Sequence, residues 1–109
     1  MSRFSHLIGT LAVAAAMLIG VAHAQAPVSS ALGRNLAAQC AACHGTNGNS
    51  VAELPSLAGQ PAATIVQKMK DYRDGKRPAS VMHQLAKGYT DEQVLLMAEY
   101  FSKQNSQAK

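Results

Sequence analysis

The strongest chemical signal in this sequence is a pair of cysteines three residues apart with a histidine directly after the second: Cys40-Ala41-Ala42-Cys43-His44. Residues three apart on a helix share a face, so both sulfurs can point the same way. Two thiols placed like this can add to the two vinyl groups along one edge of a haem. The adjoining imidazole is then tethered beneath the iron as an axial ligand. C-x-x-C-H is the attachment pattern of c-type haem. The same residues admit other chemistry. A C-x-x-C pair can cycle between dithiol and disulfide, but that motif ordinarily follows a strand in a βαβ setting, and nothing strand-like precedes Cys40. A zinc site needs four ligands. Cys40, Cys43, His44 and His83 are the set on offer, with no second C-x-x-C and no H-x-x-x-H. The plain alternative is a chance pattern in a structural helix.

If the cofactor is haem, the second axial position needs a ligand. Met69 and Met97 continue apolar helical stripes and read as core. Met82 instead stands in the irregular stretch Arg77-Pro78-Ala79-Ser80-Val81-Met82, 38 residues after His44, and can fold back over the opposite face. His83 beside it is the rival ligand; otherwise it is a solvent-facing loop residue.

The elements that must position these residues are few. Of 109 residues, the first 24 read as a secretory leader: Arg3 in a polar start, then an apolar run from Leu7 to Val21, then Ala22-His23-Ala24 as a cleavage pattern. That run has 15 residues, short of the ~20 needed to span a bilayer, so cleavage before Gln25 and delivery to the periplasm are expected, with no stable membrane insertion afterwards; an uncleaved anchor is the alternative. Residues 25–109 form one domain, and these 85 residues contain no Trp. A domain this small usually needs a cofactor, metal or disulfide framework to hold together. A bridge between Cys40 and Cys43 would close too small a loop to constrain the chain. Nine basic against six acidic residues remain after Arg3 leaves, a net charge of +3, which excludes a nucleic-acid-binding profile.

Hydrophobic spacing predicts an all-α fold of three main helices joined by irregular connections wrapped around one haem. The first is expected from near Ser30 towards Cys40, with Leu32 and Leu36 on one apolar stripe. Gly45 to Gly59 is rich in Gly, Asn, Ser and Pro and reads as loop. Pro61 is expected at the first position of a second helix carrying Ile65, Val66, Met69 and Tyr72, with Gly75 at its end. A short turn is expected around Met82 to Lys87. Thr90-x-x-Gln93 has the form of a capping box and opens a last helix with Val94, Met97 and Phe101 on one face. The polar tail after Lys103 is expected to fray.

Three segments in this order, Cys40-Ala-Ala-Cys-His44-Gly45, Pro55-Ser-Leu57-Ala-Gly59-Gln60, and Gly75-Lys-Arg77 with Met82 five residues on, resemble class I cytochromes c. The similarity is to the short periplasmic type, to each half of two-haem periplasmic cytochromes, and to the haem subunits of flavocytochrome sulfide dehydrogenases. It covers roughly Ala31 to Ser102. The resemblance implies one covalent haem c, with Cys40 and Cys43 as thioether attachments and with His44 and Met82 as axial iron ligands. It also implies that the Pro55 carbonyl accepts the other ring N–H of His44, and that Gly33 lies where the first and last helices cross. The stretch between Gly45 and Pro55 is short for the pattern and leaves limited cover for the propionate edge.

The function so implied is single-electron transfer, either as a free periplasmic carrier or as the haem subunit of a periplasmic oxidoreductase complex. The chain is expected not to be an enzyme by itself. A haem protein that binds ligands or peroxide, without Met82 on the iron, is a third possibility. Expected partners are redox proteins, with the basic cluster Lys68, Lys70, Arg73, Lys76, Arg77 and Lys87 meeting an acidic docking surface. Alternatively, Arg77 holds a haem propionate.

Overall fold

The computed structural model describes residues 28–107. The expected leader and its cleavage point before Gln25 lie outside the described residues. Those residues form five helices, α1 (Val28–Ala37), α2 (Ala41–His44), α3 (Ala62–Arg73), α4 (Met82–Leu85) and α5 (Asp91–Ser102), with no strand among them. Short 3-10 turns cover Ala38–Cys40, Thr46–Gly48 and Ala86–Gly88. The all-α expectation holds, as does the helical turn beginning at Met82.

Helix α5 packs against both α1 and α3. Its start is fixed by the capping box: Thr90 Oγ1 accepts from the Gln93 N–H at 3.2 Å, and Gln93 Oε1 accepts from the Thr90 N–H at 3.0 Å. Asp91 and Glu92 in the first turn oppose the positive end of the helix dipole. Val94, Met97, Ala98 and Phe101 are buried. They follow the i, i+3, i+4, i+7 spacing of a single core-facing stripe, and with Ala37 and Ile65 they form the core.

Helix α1 meets α5 across small residues. A Cβ added at Gly33 would lie 2.7 Å from the Leu96 carbonyl oxygen, so only glycine lets the two backbones come this close. The buried face of α1 is therefore Gly33 and Ala37, with Leu36 partly covered. Leu32 is 45% exposed, against the expectation that it shares the inward stripe. Close backbone contact needs the absence of a side chain, a signal that an apolar periodicity search discards. The helix also begins at Val28 and ends at Ala37, giving way to the 3-10 turn before Cys40.

Helix α3 buries Ile65 and half-buries Val66 and Met69 against the core. Pro61 caps the helix from outside instead of opening it, because its ψ of 137° is not helical. At the other end, Gly75 N–H donates to Tyr72 O at 3.2 Å and Lys76 N–H to Asp71 O at 2.9 Å, the paired bonds of a Schellman close. The Arg73–Asp91 ion pair at 2.5 Å then ties the end of α3 to the start of α5. Asp91 is 88% exposed, so that pair contributes at most ~1 kcal/mol.

The tail is held at Asn105 and Gln107, against the expectation that it frays after Lys103. Asn49 Nδ2 donates to Asn105 O at 3.0 Å, and the Gln107 N–H donates to Asn49 Oδ1 at 2.8 Å. One side-chain amide thus offers a donor and an acceptor to the tail backbone, as a neighbouring strand would.

Replacing Gly33 with Ala drives a Cβ into backbone, and overpacking of this kind costs about 1–3 kcal/mol. At ~4–8 °C per kcal/mol for a domain of this size, the thermal midpoint followed by circular dichroism should fall by at least ~4 °C.

Candidate haem site

The cysteine-histidine motif straddles two helical pieces. Cys40 ends the 3-10 turn, and Cys43 and His44 lie in the single-turn helix α2. Both cysteines are free, Cys40 half-buried and Cys43 exposed. Burial pushes the Cys40 thiol above its ordinary value, and the neighbouring Cys43 adds to the rise. Tyr89 stands beside them, its hydroxyl donating to Gln39 Oε1 at 3.0 Å. Its phenol is likewise raised, first by burial and then by Cys40.

The chain must reverse sharply after His44. Gly45 does so at φ 81°, ψ 163°, a backbone region essentially confined to glycine, and a Cβ there would fall 1.9 Å from Asn49 O. The loop that follows is drawn together by one carbonyl: Gly48 O accepts from Leu57 N–H at 2.8 Å and from Ala58 N–H at 3.1 Å. Ser50 N–H donates to Ser56 Oγ at 3.0 Å. Pro55 consequently presents its carbonyl oxygen 2.7 Å from His44 Nδ1.

A carbonyl can only accept, so Nδ1 carries the hydrogen and Nε2 keeps its lone pair. An imidazole held this way is ready to bind a metal, with the carbonyl making it more basic. This tautomer and the two free thiols three residues apart fit the donor set of haem c. The incomplete burial of apolar side chains fits too. Leu36, Leu57, Val66 and Met69 are only partly covered, and Leu54, Val81 and Leu85 are about half exposed, which suits contact with a large flat macrocycle.

Met82 comes from a separate element. It is the first residue of α4, half-buried, and α4 packs against α3. His83 is not the solvent-facing residue expected: it is half-buried, and its Nδ1 is shielded without a hydrogen-bond partner. Its place within a helical turn, and not in open loop, turns the ring inward. Of the basic cluster, Arg73 pairs with Asp91 and Lys68 Nζ donates to Gln60 Oε1 at 2.9 Å. Arg77 lies 5.6 Å over the Tyr72 ring and donates to its hydroxyl at 3.3 Å. Among the described residues, no group of three or more His, Cys, Asp or Glu side chains could hold a bare metal ion, which removes the zinc alternative there.

Comparison with known proteins points to the same cofactor. Residues 30–105 match the family model for cytochrome c. The chain is 44% identical over 82 residues to the cytochrome subunit of sulfide dehydrogenase of Chlorobaculum tepidum, covering 72% of this chain and 74% of that one. It is 39% identical over 79 residues to cytochrome c-554(548) of Halomonas halodenitrificans, covering 69% of this chain and 95% of the relative. It is 41% identical over 88 residues to cytochrome c4 of Pseudomonas aeruginosa, covering 80% of this chain but 43% of that protein, so the chain spans less than half of that relative. The chain belongs to the cytochrome c family. Its cofactor is covalently bound haem c, and its work is electron transfer.

Replacing Gly45 with Ala forces a side chain into the Asn49 carbonyl and displaces the loop that presents Pro55. The expected outcome is a larger fall in thermal midpoint than Gly33→Ala produces, measured in the same way, because φ and space are violated together.

Proposed function

We propose that this protein carries single electrons in the periplasm through one haem c, bound by thioether links from Cys40 and Cys43, with His44 and Met82 as axial ligands. The observation that carries this reading is the 2.7 Å bond from His44 Nδ1 to the Pro55 carbonyl, which readies Nε2 for iron directly beside the cysteine pair. Bound haem supplies an iron that takes up and gives back one electron. The chain supplies the rest. Thioether links keep the cofactor in place whatever the charge on the metal. With His44 and Met82 both bound to the iron, no coordination position would be left open to oxygen or peroxide. A neutral methionine sulfur opposite histidine favours the ferrous form compared with two histidines. The leader pattern over residues 1–24 supports export, and among the described residues no helix is long and apolar enough to cross a membrane.

The likeness to a cytochrome subunit of sulfide dehydrogenase and to a thiosulfate dehydrogenase electron acceptor of Thiomonas intermedia, at 37% identity, favours a second reading. In it the same domain is the haem subunit of a periplasmic oxidoreductase, and not itself an enzyme. Its native mass by size exclusion from its own cells separates the two: a lone small species supports the free carrier.

Met82→Ala should abolish the weak far-red ferric absorption band that marks methionine ligation, and let the reduced protein bind carbon monoxide. A variant that keeps the band and excludes the gas would remove Met82 from the iron in favour of another methionine, whereas wild-type protein that lacks the band and excludes the gas would make His83 the next ligand to test. For docking, Lys70, Lys76 and Lys87 are exposed. An acidic partner would then be reached through long-range attraction. Electron-transfer rates with the physiological partner should fall as salt rises from 0.05 to 0.5 M, taken as about a tenfold range; a flat profile would contradict acidic docking.

A further inference from the structure

The stretch from Gly45 to Pro55 has no regular structure beyond one 3-10 turn, yet it must deliver a carbonyl to a ring nitrogen within hydrogen-bonding distance. What steadies it comes from the far end of the chain. The Tyr100 hydroxyl donates to Asn47 Oδ1 at 2.6 Å. Asn47 itself sits at φ 54°, a left-handed conformation that asparagine tolerates better than most residues. Two residues further on, Asn49 holds the tail through its bonds to Asn105 O and the Gln107 N–H. On the other side of Pro55, the Gly59 N–H donates to Phe101 O at 2.9 Å. The loop is thus gripped on both sides of the Pro55 carbonyl by residues between 100 and 107.

We propose that Tyr100 and Asn49 are positioning residues for the proximal ligand: they fasten the Gly45–Pro55 loop to the C-terminal helix and tail, hold the Pro55 carbonyl on His44 Nδ1, and thereby set the reduction potential of the iron. This rests on the haem reading above. A carbonyl bonded to the ring N–H makes the imidazole a stronger donor, and a stronger donor favours ferric iron. Loosening the loop weakens that bond and shifts the balance towards ferrous.

The test uses the haem-loaded protein and its variants Tyr100→Phe, Asn49→Ala and Thr90→Ala. The last loses a capping bond at the opposite end of α5 and controls for lost stability. With the solution held at the wild-type midpoint, Tyr100→Phe and Asn49→Ala should each raise the ferrous-to-ferric ratio about threefold, equivalent to about 30 mV at ~59 mV per decade. The His44 ring N–H of the reduced protein should also exchange with solvent faster by NMR. Thr90→Ala should lower the thermal midpoint and leave the ratio unchanged. Wild-type ratios and wild-type ring exchange in both loop variants would overturn the proposal, and so would an equal shift in Thr90→Ala. Failure of the underlying reading looks different, since the wild-type protein would then carry no attached haem.

Discussion

An imidazole binds a metal reliably through one nitrogen when the other has a fixed partner. In this protein that partner is the Pro55 carbonyl, eleven residues beyond His44, so the geometry of the site depends on the shape of a loop. Helical hydrogen bonding cannot supply that shape. It comes from a glycine that reverses the chain at Gly45 and from a single carbonyl, Gly48 O, that gathers two amides from the returning segment. Each bond is modest by itself, roughly 0.5–1.5 kcal/mol. Together they leave the loop one arrangement in which the ring N–H is satisfied.

The rest of the fold carries the elements on which the cysteine pair and Met82 stand. Helix α5 is the common support, with α1 on one flank and α3 on the other. From α1 the chain runs through a 3-10 turn straight into the cysteine pair. From α3 it runs through the Schellman close and a short exposed stretch to Met82. The approach of α1 to α5 is set by Gly33, and the approach of α3 to α5 is reinforced by Ile65 and by the Arg73–Asp91 pair. A core of six buried residues, two of them alanines, is slight for a domain of this length. That economy fits a fold whose centre is completed by a bound macrocycle, and it explains why so many apolar side chains are only half covered.

Much of this could be read from the chain because local chemistry dictated it. The C-x-x-C-H run, the capping box at Thr90 and the stripe from Val94 to Phe101 each depend on residues close in sequence, and each is found as expected. Gly33 and Pro55 were legible only through resemblance to a family. Other features were not legible, for identifiable reasons. Leu32 faces outward because contact between α1 and α5 is made by what is missing at Gly33, not by apolar bulk. Asn105 and Gln107 are held because the amide of Asn49 reaches them across more than fifty residues of sequence. No periodicity or local propensity encodes such a pairing. The inward turn of His83 followed from a helical turn whose exact phase the sequence left open.

Mass spectrometry of the exported protein under denaturing conditions tests the central claim most directly. The account predicts a chain carrying the mass of one haem that survives acid and organic solvent, with the added mass mapped to the peptide containing Cys40, Cys43 and His44. A chain of unmodified mass with both thiols open to alkylation would contradict it.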